Sequence, residues 1–420
     1  MKPILMVAFH YPPEGGSSGV LRTLKFTKYL PRHGWTPHVL TLRESFYRSR
    51  DEQLVRDIPA EARVHRTFAL DTSRHLAIRR RYPAWLTVPD RFVSWVPFGV
   101  VRGLRVIRAA GIRCLYSTCP QPSAHLIALL LKRRTGLPWV ADFRDPWIEE
   151  TGEGAPRSLR DRVDRRLERA VVRHADRIVA TTPSLRDDFL RRYADLAHGK
   201  THVIYNGYDE DDAAALPAPA AKREHFEILH AGLVTEAYRD PTPILRAVSS
   251  LIARGRVDRR RVRIVFLGGG KYPASAGFAA GVRGLALQDV VDVAGRVSHA
   301  EALERTRHAD CLLLLQASDD TRALIPAKAF EYLRAGRPIL ALAGPGATAD
   351  LLRDMEQATV VDPGRPADIE EAIAASYEAW RESPVPIVVE RKIERFERAN
   401  LTAELARILH DVAGLDGDRG

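Results

Sequence analysis

Sulfur-containing residues are scarce in this sequence of 420 residues, which has three cysteines and three methionines. The cysteines (Cys114, Cys119 and Cys311) lie in apolar or strand-like segments, and their spacing is not that of zinc ligands. A sparse, odd cysteine count argues against a disulfide framework and indicates a reducing compartment. We therefore expect a cytoplasmic protein without structural disulfides.

Long hydrophobic runs are also missing. No stretch approaches the roughly 18 apolar residues that a bilayer-spanning helix needs, and the longest apolar run, at residues 126–131, is typical of a core segment. Residues 1–9 are too short for a signal peptide and are followed by no small-residue cleavage site. The sequence has neither an aromatic-spaced RNA motif nor a recognition-helix pattern, so we expect no nucleic acid partner.

The sequence has more basic than acidic residues. Lys and Arg number 64 against 53 Asp and Glu, a formal net charge of +11, in a chain that is 45% hydrophobic and 28% charged. These proportions are typical of a globular protein, and the basic excess favours polyanionic partners such as phosphorylated small molecules or an anionic membrane face. The arginine run at 79–81, followed by Tyr82 and Trp85, has a composition that suits anionic headgroups, while an ordinary solvated helix end explains it equally well.

Strand and helix patterns alternate along the chain in two blocks. Apolar runs at 3–9 and 37–42 flank an amphipathic helix at 20–30, which predicts a βαβ unit and a parallel sheet. An acidic stretch rich in Ala and Pro at 209–221 has no periodicity, and the pattern restarts with a strand at 226–231. We therefore predict an α/β protein with two doubly wound Rossmann-like domains, at residues 1–208 and 226–385, joined by a linker at 209–225. A helical segment at 386–420 is expected to cross back to the first domain.

Glycine-rich loops follow the first strand of the first block and the second strand of the second block, at strand ends where a doubly wound sheet binds its ligands. The loop at 14–19 (EGGSSG) contains Gly15, Gly16 and Ser17, which allow close backbone approach to a ligand at a helix N-terminus. A plain tight turn is the alternative. The loop at 268–271 (GGGK), with Gly269 at its centre, is a weaker signal of the same kind.

Charged side chains lie at other strand ends. Asp142 and Asp145 belong to the segment DFRDPW at 142–147, where either a ligand-facing role or a loop salt bridge is expected. His125 begins an apolar helix, so it is either a site residue or an ordinary packing histidine. Arg239 precedes the helix at 243–253 and has the chemistry to hold a phosphate with two hydrogen bonds, unless it is a solvated surface arginine.

The segment at 325–340 (IPAKAFEYLRAGRPIL) predicts a short helix followed by a buried strand. Pro326 suits the first helical position and Gly336 suits the helix end. Glu331 is a carboxylate in mid-helix between Phe330 and Tyr332. A solvated helix-face acid is the simpler interpretation of that residue; a ligand-binding acid is the alternative.

Taken together, these segments resemble retaining nucleotide-sugar glycosyltransferases of the GT-B architecture, in the group called family four or group 1. More narrowly, the chain is similar to bacterial members from exopolysaccharide or capsule clusters. The resemblance covers essentially the whole length. It rests on YPP at 11–13 with the glycine loop, DFRDPW at 142–147, VIYNG at 203–207, RDP at 239–241, and PAKAFEY at 326–332 with GRP at 336–338.

This resemblance implies a fold and an activity. The two domains would face each other across a cleft, and the enzyme would move a sugar from a nucleotide-sugar donor to a saccharide or lipid-linked acceptor with retention, in cell-surface polysaccharide synthesis. It implies no metal and no cofactor beyond the donor substrate, and it allows peripheral contact with an anionic membrane.

The resemblance also implies site residues. Glu331 would accept the ribose hydroxyls of the donor, and Arg239 would offset the charge on its diphosphate. Donor binding would also involve Pro326, Lys328, Gly269 and the backbone N–H groups of Gly15, Gly16 and Ser17. Asp142, Asp145 and His125 would form the catalytic, acceptor-facing group.

Two positions depart from the pattern of the family. Ala323 stands where relatives have the first of two paired glutamates, and Leu233 stands where many have an arginine. An epimerase or synthase of the same fold, or a non-catalytic scaffold protein of GT-B shape, are therefore the alternatives.

Overall fold

The computed structural model describes residues 1–15, 19–76, 82–148, 158–214, 224–268, 270–316, 321–382 and 390–414. These residues form two compact units, one made of residues 1–206 with the segment from Arg398 onward, the other of residues 207–397. Three predicted site residues, Gly16, Ser17 and Gly269, lie outside the described residues, as does the arginine run at 79–81.

In the described part of the first unit, seven parallel strands alternate with helices. The strands are β1 (Lys2–Ala8), β2 (Trp35–Leu42), β3 (Arg63–Thr67), β4 (Cys114–Thr118), β5 (Trp139–Phe143), β6 (Arg177–Ala180) and β7 (Thr201–Val203). The helices are α1 (Gly19–Tyr29), α2 (Glu52–Arg56), α3 (Thr72–His75), α4 (Trp95–Ala110), α5 (Pro122–Thr135), α6 (Leu159–His174), α7 (Pro183–Arg192) and α8 (Ala194–Ala197).

The first sheet is covered on both faces, because successive side chains of a strand point to opposite sides. Along β1, Leu5 and Val7 belong to one buried cluster, and Ile4 and Met6 belong to another. The strand order β3-β2-β1-β4-β5-β6-β7 reverses direction between β1 and β4. Ligands of such sheets bind at that reversal, beyond the carboxyl ends of the strands.

The second unit repeats this design. Its strands are β8 (Phe226–Ala231), β9 (Val262–Leu267), β10 (Val291–Ala294), β11 (Cys311–Gln316), β12 (Ile339–Ala343) and β13 (Ala358–Val361). Its helices are α9 (Glu210–Ala214), α10 (Thr242–Ala253), α11 (Ala276–Gly284), α12 (His299–His308), α13 (Ala327–Ala335), α14 (Ala347–Arg353) and α15 (Pro366–Glu382). The parallel strands follow the order β10-β9-β8-β11-β12-β13, which reverses between β8 and β11.

The C-terminal helix α16 (Arg398–Val412) belongs to the first unit. Leu401, Leu405 and Leu409 are buried in the cluster that also contains Leu24 and Phe26 of α1. The predicted single helical segment is interrupted, since Arg391–Phe396 is a 3₁₀ helix that ends at Glu397. Other 3₁₀ helices lie at Leu30–His33, Glu44–Phe46, Ala84–Thr87 and Arg259–Arg261.

The first part of the predicted linker at 209–225 is a short helix, α9, which the sequence pattern did not predict. Its acidic residues form the first turn of α9, where carboxylates complement the positive end of the helix dipole. Asp209 Oδ1 accepts a hydrogen bond from the Asp211 N–H at 3.1 Å, and Glu210 forms an ion pair with Arg334 of α13. The acidic residues therefore begin helix α9 and attach it to α13.

The α/β fold with two Rossmann-like sheets is confirmed by these two parallel, doubly wound units. The predicted cleft between the domains and the predicted domain boundaries stay predictions. A search of the described helices finds none that is both long enough and apolar enough to cross a bilayer.

Candidate functional site

The strongest candidate site lies at the carboxyl ends of β8 and β11, where the second sheet reverses its order. The chain leaves β8 at Gly232, and the segment after β11 leads into α13. Because the strand order diverges at this point, the two exits leave a crevice that helices do not cover. Arg239, Pro326, Lys328 and Glu331, four of the predicted donor-binding residues, belong to these two exits.

Two glycines allow the loops after β8 and β9 to pack backbone against backbone. Gly232 has a φ of +135° and Gly268 a φ of +118°, values that favour glycine. A Cβ on Gly268 would lie 3.1 Å from the Gly232 backbone, and a Cβ on Gly232 would lie 2.6 Å from Lys328 Nζ. A side chain at position 232 would therefore fill the space beside the lysine nitrogen, and one at position 268 would push the two loops apart.

A histidine and a lysine form a close pair at this place. His230, the fifth residue of β8, is fully buried, and its Nδ1 is 2.9 Å from the Leu313 carbonyl oxygen. Nε2 is farther from a carbonyl, 3.4 Å from that of Leu233, so the proton of the neutral ring is assigned to Nδ1 and Nε2 is an acceptor. Lys328 Nζ lies 3.2 Å from that Nε2 and donates to it.

The surroundings of this pair lower the pKa values of both side chains. Burial, followed by the Arg239 charge, holds the pKa of Lys328 well below its ordinary value, while the Glu331 carboxylate opposes this shift. Burial and then the Lys328 charge also keep the pKa of His230 well below its usual range. The site therefore binds fewer protons than the same side chains would bind in water.

Helix α13 is fixed in place by hydrogen bonds to both strands of the crevice. The Tyr332 hydroxyl accepts from the Ala231 N–H at 2.8 Å and donates to the Leu313 carbonyl at 3.5 Å. Before the helix, the Gln316 amide donates to the carbonyls of Thr321 and Leu324, both at 2.9 Å. The start of α13 is therefore held rigidly beside the end of β8.

Arg239 and Glu331 remain available for a ligand. Both side chains are half-buried, and within the described ranges neither forms an ion pair. Burial lowers the pKa of Arg239, but the ordinary pKa of a guanidinium is so high that the group stays charged at neutral pH. Glu331 follows Lys328 by three residues, so both occupy the same face of α13. Two basic groups, a helix N-terminus and an acceptor carboxylate thus meet at one sheet edge, an arrangement able to bind a diphosphate and vicinal hydroxyls.

In the first unit, Asp142 is the buried centre of a hydrogen-bond network. Arg22 of α1 donates to both carboxylate oxygens, at 3.0 and 2.8 Å, and Tyr116 and Thr118 donate to Oδ2 at 2.6 and 2.8 Å. Burial alone would raise the pKa of Asp142, but the Arg22 charge and these donors hold it below its usual value. Asp142 is fully buried and Arg22 nearly so. This geometry gives Asp142 a structural role in joining α1 to β4 and β5.

His125 is also fully buried, in the first turn of α5. Trp139 Nε1 donates to Ser117 Oγ at 2.9 Å, and that hydroxyl forms a second hydrogen bond with His125 Nδ1 at 2.7 Å. Within the described chain, the other ring nitrogen, Nε2, is buried without a partner. Burial lowers the pKa of His125 to about 3. A neutral, enclosed ring of this kind packs against the core, and its predicted catalytic role stays a prediction.

Asp145 and Gly15 complete the predicted set. The Asp145 side chain is 34% exposed and only 3.5 Å from the Arg144 guanidinium, so this carboxylate is the more accessible of the two predicted acids. The Gly15 N–H donates to the Ser49 carbonyl at 2.9 Å, and a Cβ on Gly15 would lie 2.8 Å from the Asp51 Cβ. Gly15 is therefore needed for loop packing, and its N–H is already engaged within the protein.

Comparisons with known proteins find relatives for both units. Residues 19–207 match the family described as a glycosyl transferase 4-like domain, and residues 225–379 match the glycosyl transferases group 1 family. The fold is that of the GT-B glycosyltransferases, and each of the two regions matches a glycosyltransferase family. The second match contains the whole crevice between β8 and β11.

One curated relative and two solved structures are similar to this chain. The D-inositol 3-phosphate glycosyltransferase of Kineococcus radiotolerans is 31% identical over 198 residues, so the chain spans only 44% of that relative, and 44% of the chain is covered. Sucrose-phosphate synthase from Thermosynechococcus elongatus superposes with a TM-score of 0.67 at 16% identity, covering 99% of this chain and all of that one. HepE of Anabaena in complex with UDP-glucose gives 0.66 at 16% identity, covering 98% of this chain and all of that one. At such identities the two structures show the fold alone.

Sequence reasoning missed several residues at these two sheet edges. His230 and Arg22 had a detectable signal, because each is a polar residue in an otherwise apolar strand or on the buried side of a helix. Gly232 and Tyr332 carried no such signal. Their importance depends on which segments lie beside them.

Proposed function

We propose that the chain transfers a sugar from a nucleoside diphosphate sugar to a saccharide or lipid-linked acceptor, with retention, in bacterial cell-surface polysaccharide synthesis. The observation that carries this proposal is the cluster of Arg239, Lys328 and Glu331 beside Gly232 at the sheet reversal of the second unit. The UDP-glucose complex of HepE, a protein of the same fold, supports a donor of this class.

Each group of the cluster has a defined task in this proposal. Arg239 and Lys328 bind the diphosphate and balance the negative charge that grows on it as the bond to the sugar breaks. Glu331 accepts hydrogen bonds from two ribose hydroxyls, which a carboxylate can do because it only accepts. Gly232 and Gly268 leave room for the phosphates beside the lysine nitrogen.

The transfer step needs no protein nucleophile. The bond between the anomeric carbon and the phosphate oxygen breaks, and the acceptor oxygen forms a bond to the same face of that carbon. The acceptor proton passes to the departing phosphate. Asp145 is the acceptor-facing acid of the predicted set, because Asp142 and His125 are enclosed in the first unit.

A thermal-shift panel tests the donor site. The full-length protein is measured with UDP, GDP, ADP and their common sugar conjugates, alongside Glu331→Ala and a control, Glu304→Ala, which changes an exposed acid on α12. A ligand at a hundredfold excess over its dissociation constant stabilises the native state by about 2.7 kcal/mol. We expect one nucleotide to raise the melting temperature of the wild type and of Glu304→Ala, and to raise that of Glu331→Ala much less.

Product analysis then separates the alternatives. A transferase releases nucleoside diphosphate only with an acceptor present, and the anomeric configuration of the product, read by NMR, matches that of the donor. An epimerase changes the sugar without transferring it. A scaffold protein binds no nucleotide in the panel, which would refute the proposal.

A further inference from the structure

The ring of His230 is a fully buried polar group in an apolar part of the second unit. Side chains of a strand alternate between its two faces, so His230 shares a face of β8 with Phe226 and Ile228, which both belong to the apolar core of this unit. A polar ring in such a place costs free energy unless its nitrogens are hydrogen-bonded. The partners of the two nitrogens therefore indicate what the ring does.

Backbone pairing between β8 and β11 ends just before His230. The last register pair joins Leu229 to Leu312. One residue further along, the ring bridges the two strands, because His230 Nδ1 lies 2.9 Å from the Leu313 carbonyl oxygen and donates to it. This hydrogen bond ties the ring to β11 and fixes the direction of its other nitrogen, Nε2.

Two hydrogen-bond acceptors lie side by side at the far end of the ring. His230 Nε2 is 3.4 Å from the Leu233 carbonyl oxygen and 3.2 Å from Lys328 Nζ. Because Nδ1 carries the proton, Nε2 accepts from the lysine. A protonated lysine has three N–H donors, so a hydrogen bond to Nε2 leaves two of them for a ligand.

The ring restrains a side chain that is flexible by nature. Within the described ranges, His230 Nε2 is the only hydrogen-bond partner of Lys328 Nζ. A lysine has a flexible four-carbon stem, and restraining such a side chain before a ligand arrives reduces the entropy lost on binding. A Cβ on Gly232 would lie 2.6 Å from the same nitrogen, so the glycine keeps the exit of β8 open beside it. The lysine nitrogen is therefore held at this strand exit in advance.

A neutral acceptor suits this task better than a charged one. A carboxylate in the same place would also accept from Lys328, but its negative charge would repel a diphosphate. Burial and then the Lys328 charge hold the pKa of His230 well below its usual range, and the Arg239 charge acts in the same direction. The ring therefore stays uncharged at neutral pH, and it holds the lysine without adding a negative charge to the site.

We infer that His230 is a positioning residue of the donor site, and that its Nε2 holds Lys328 Nζ where this nitrogen meets the donor diphosphate. The ring itself touches no part of the donor, because it is fully buried. This inference rests on the proposed transferase function and adds to it the group through which the core of the second unit sets the position of Lys328. Donor affinity should then depend on an acceptor atom at the place of Nε2.

Isothermal titration calorimetry of the full-length protein with UDP, GDP and ADP tests this role. His230→Asn keeps an amide N–H for the Leu313 carbonyl but is too short to reach Lys328, whereas His230→Gln places an amide oxygen where Nε2 lies. The matched control is His308→Asn on α12, since the His308 Nδ1 also lies at a backbone carbonyl, that of Glu304, at 2.7 Å. His230→Asn is also made in the Lys328→Met background.

We expect the nucleotide that binds the wild type to bind His230→Asn about 2- to 10-fold more weakly, because the nucleotide must then immobilise a free lysine side chain. His230→Gln should bind within about twofold of the wild type, and His308→Asn should bind as the wild type does. In the Lys328→Met background, His230→Asn should change the affinity by less than about twofold, since no lysine nitrogen is left to position.

A second measurement needs no change at His230. Two-bond ¹H–¹⁵N spectra of the ¹⁵N-histidine-labelled wild type and of Lys328→Met report the protonation and the hydrogen bonds of each ring nitrogen. We expect a neutral ring with its proton on Nδ1 whose Nε2 signal shifts in Lys328→Met. If no Nε2 signal shifted, the hydrogen bond between His230 and Lys328 would not exist and the inference would be overturned.

Three calorimetric results would also overturn the inference: wild-type affinity in His230→Asn, an equal loss in His230→Gln and His230→Asn, or an equal effect of His230→Asn with and without Lys328. Each of these leaves nucleotide binding by the wild type intact. Failure of the proposed function looks different, because the wild type itself then binds none of the three nucleotides.

Discussion

Replacement of Lys328 by methionine is the sharpest test of the donor site. The change keeps a side chain of similar length and removes the nitrogen that lies 3.2 Å from His230 Nε2. A hydrogen bond to a charged group contributes about 1.5–3 kcal/mol, and each 1.4 kcal/mol is a factor of about ten in affinity. We therefore expect the dissociation constant for UDP to rise about 10- to 150-fold.

Folding stability should change much less than affinity, because two effects oppose each other. Each unit by which the native pKa of Lys328 lies below its ordinary 10.5 costs the native state about 1.4 kcal/mol, and the variant is relieved of that cost. The variant also leaves His230 Nε2 without its donor, which costs about 1–3 kcal/mol.

The sign of the pH dependence follows from the same shift. The native state binds fewer protons at Lys328 than the unfolded state does, so wild-type stability rises with pH up to about 10.5, and the variant should lack this rise.

Calorimetric titration with UDP at neutral pH measures the affinity, and urea unfolding measures the stability. Lys392→Met, at an exposed lysine of the same unit, is the matched control and should bind UDP as the wild type does. If Lys328→Met bound UDP with wild-type affinity while unfolding normally, Lys328 would not contact the diphosphate, and the argument for this donor site would fail.

Two other predictions follow from the pKa shifts. A bound diphosphate should return a proton to Lys328, so UDP affinity should fall as pH rises above neutrality towards 10.5; titrations in buffers of different ionisation enthalpy should show proton uptake, and none would contradict the proposal. Asp142→Asn leaves the buried Arg22 charge unpaired and should cost about 3–5 kcal/mol in urea unfolding, against less than about 0.5 kcal/mol for Asp145→Asn. The Asp142 contribution should vanish only as pH falls below about 3.8, because its native pKa is depressed; equal stability of the two variants would refute the assigned structural role.

Local patterns were sufficient to predict much of the second unit. Helix α13 begins after Pro326 and ends at Gly336, whose φ of +69° is the left-handed conformation expected there. Strand β12 follows as predicted, because a short apolar run bounded by Gly and Pro has few other structures open to it. Helix α9 was missed because it has only five residues, too few to show a helical repeat in the sequence.

The site was predicted less completely, and for a physical reason. Arg239, Lys328 and Glu331 could be singled out because their residue types and strand-end positions suit a phosphate or a ribose. Asp142 has the same kind of position, yet it lies in a buried ion pair. Nothing near it in the sequence indicates that Arg22 will be its partner.

The sequence by itself determined the alternation of strands and helices, the two-domain fold and the polar residues at the strand ends, because these depend on spacing within a few turns of chain. Only the tertiary structure decided which of those residues stay accessible. Arg22 and Asp142 are separated by 120 residues, and His230 and Lys328 by 98. Contacts between residues so far apart in the chain depend on strand order and register. These place distant segments side by side at one edge of a sheet, although the segments share no local sequence pattern. The Arg22–Asp142 and His230–Lys328 pairs therefore appear only once the sheet of each unit is assembled.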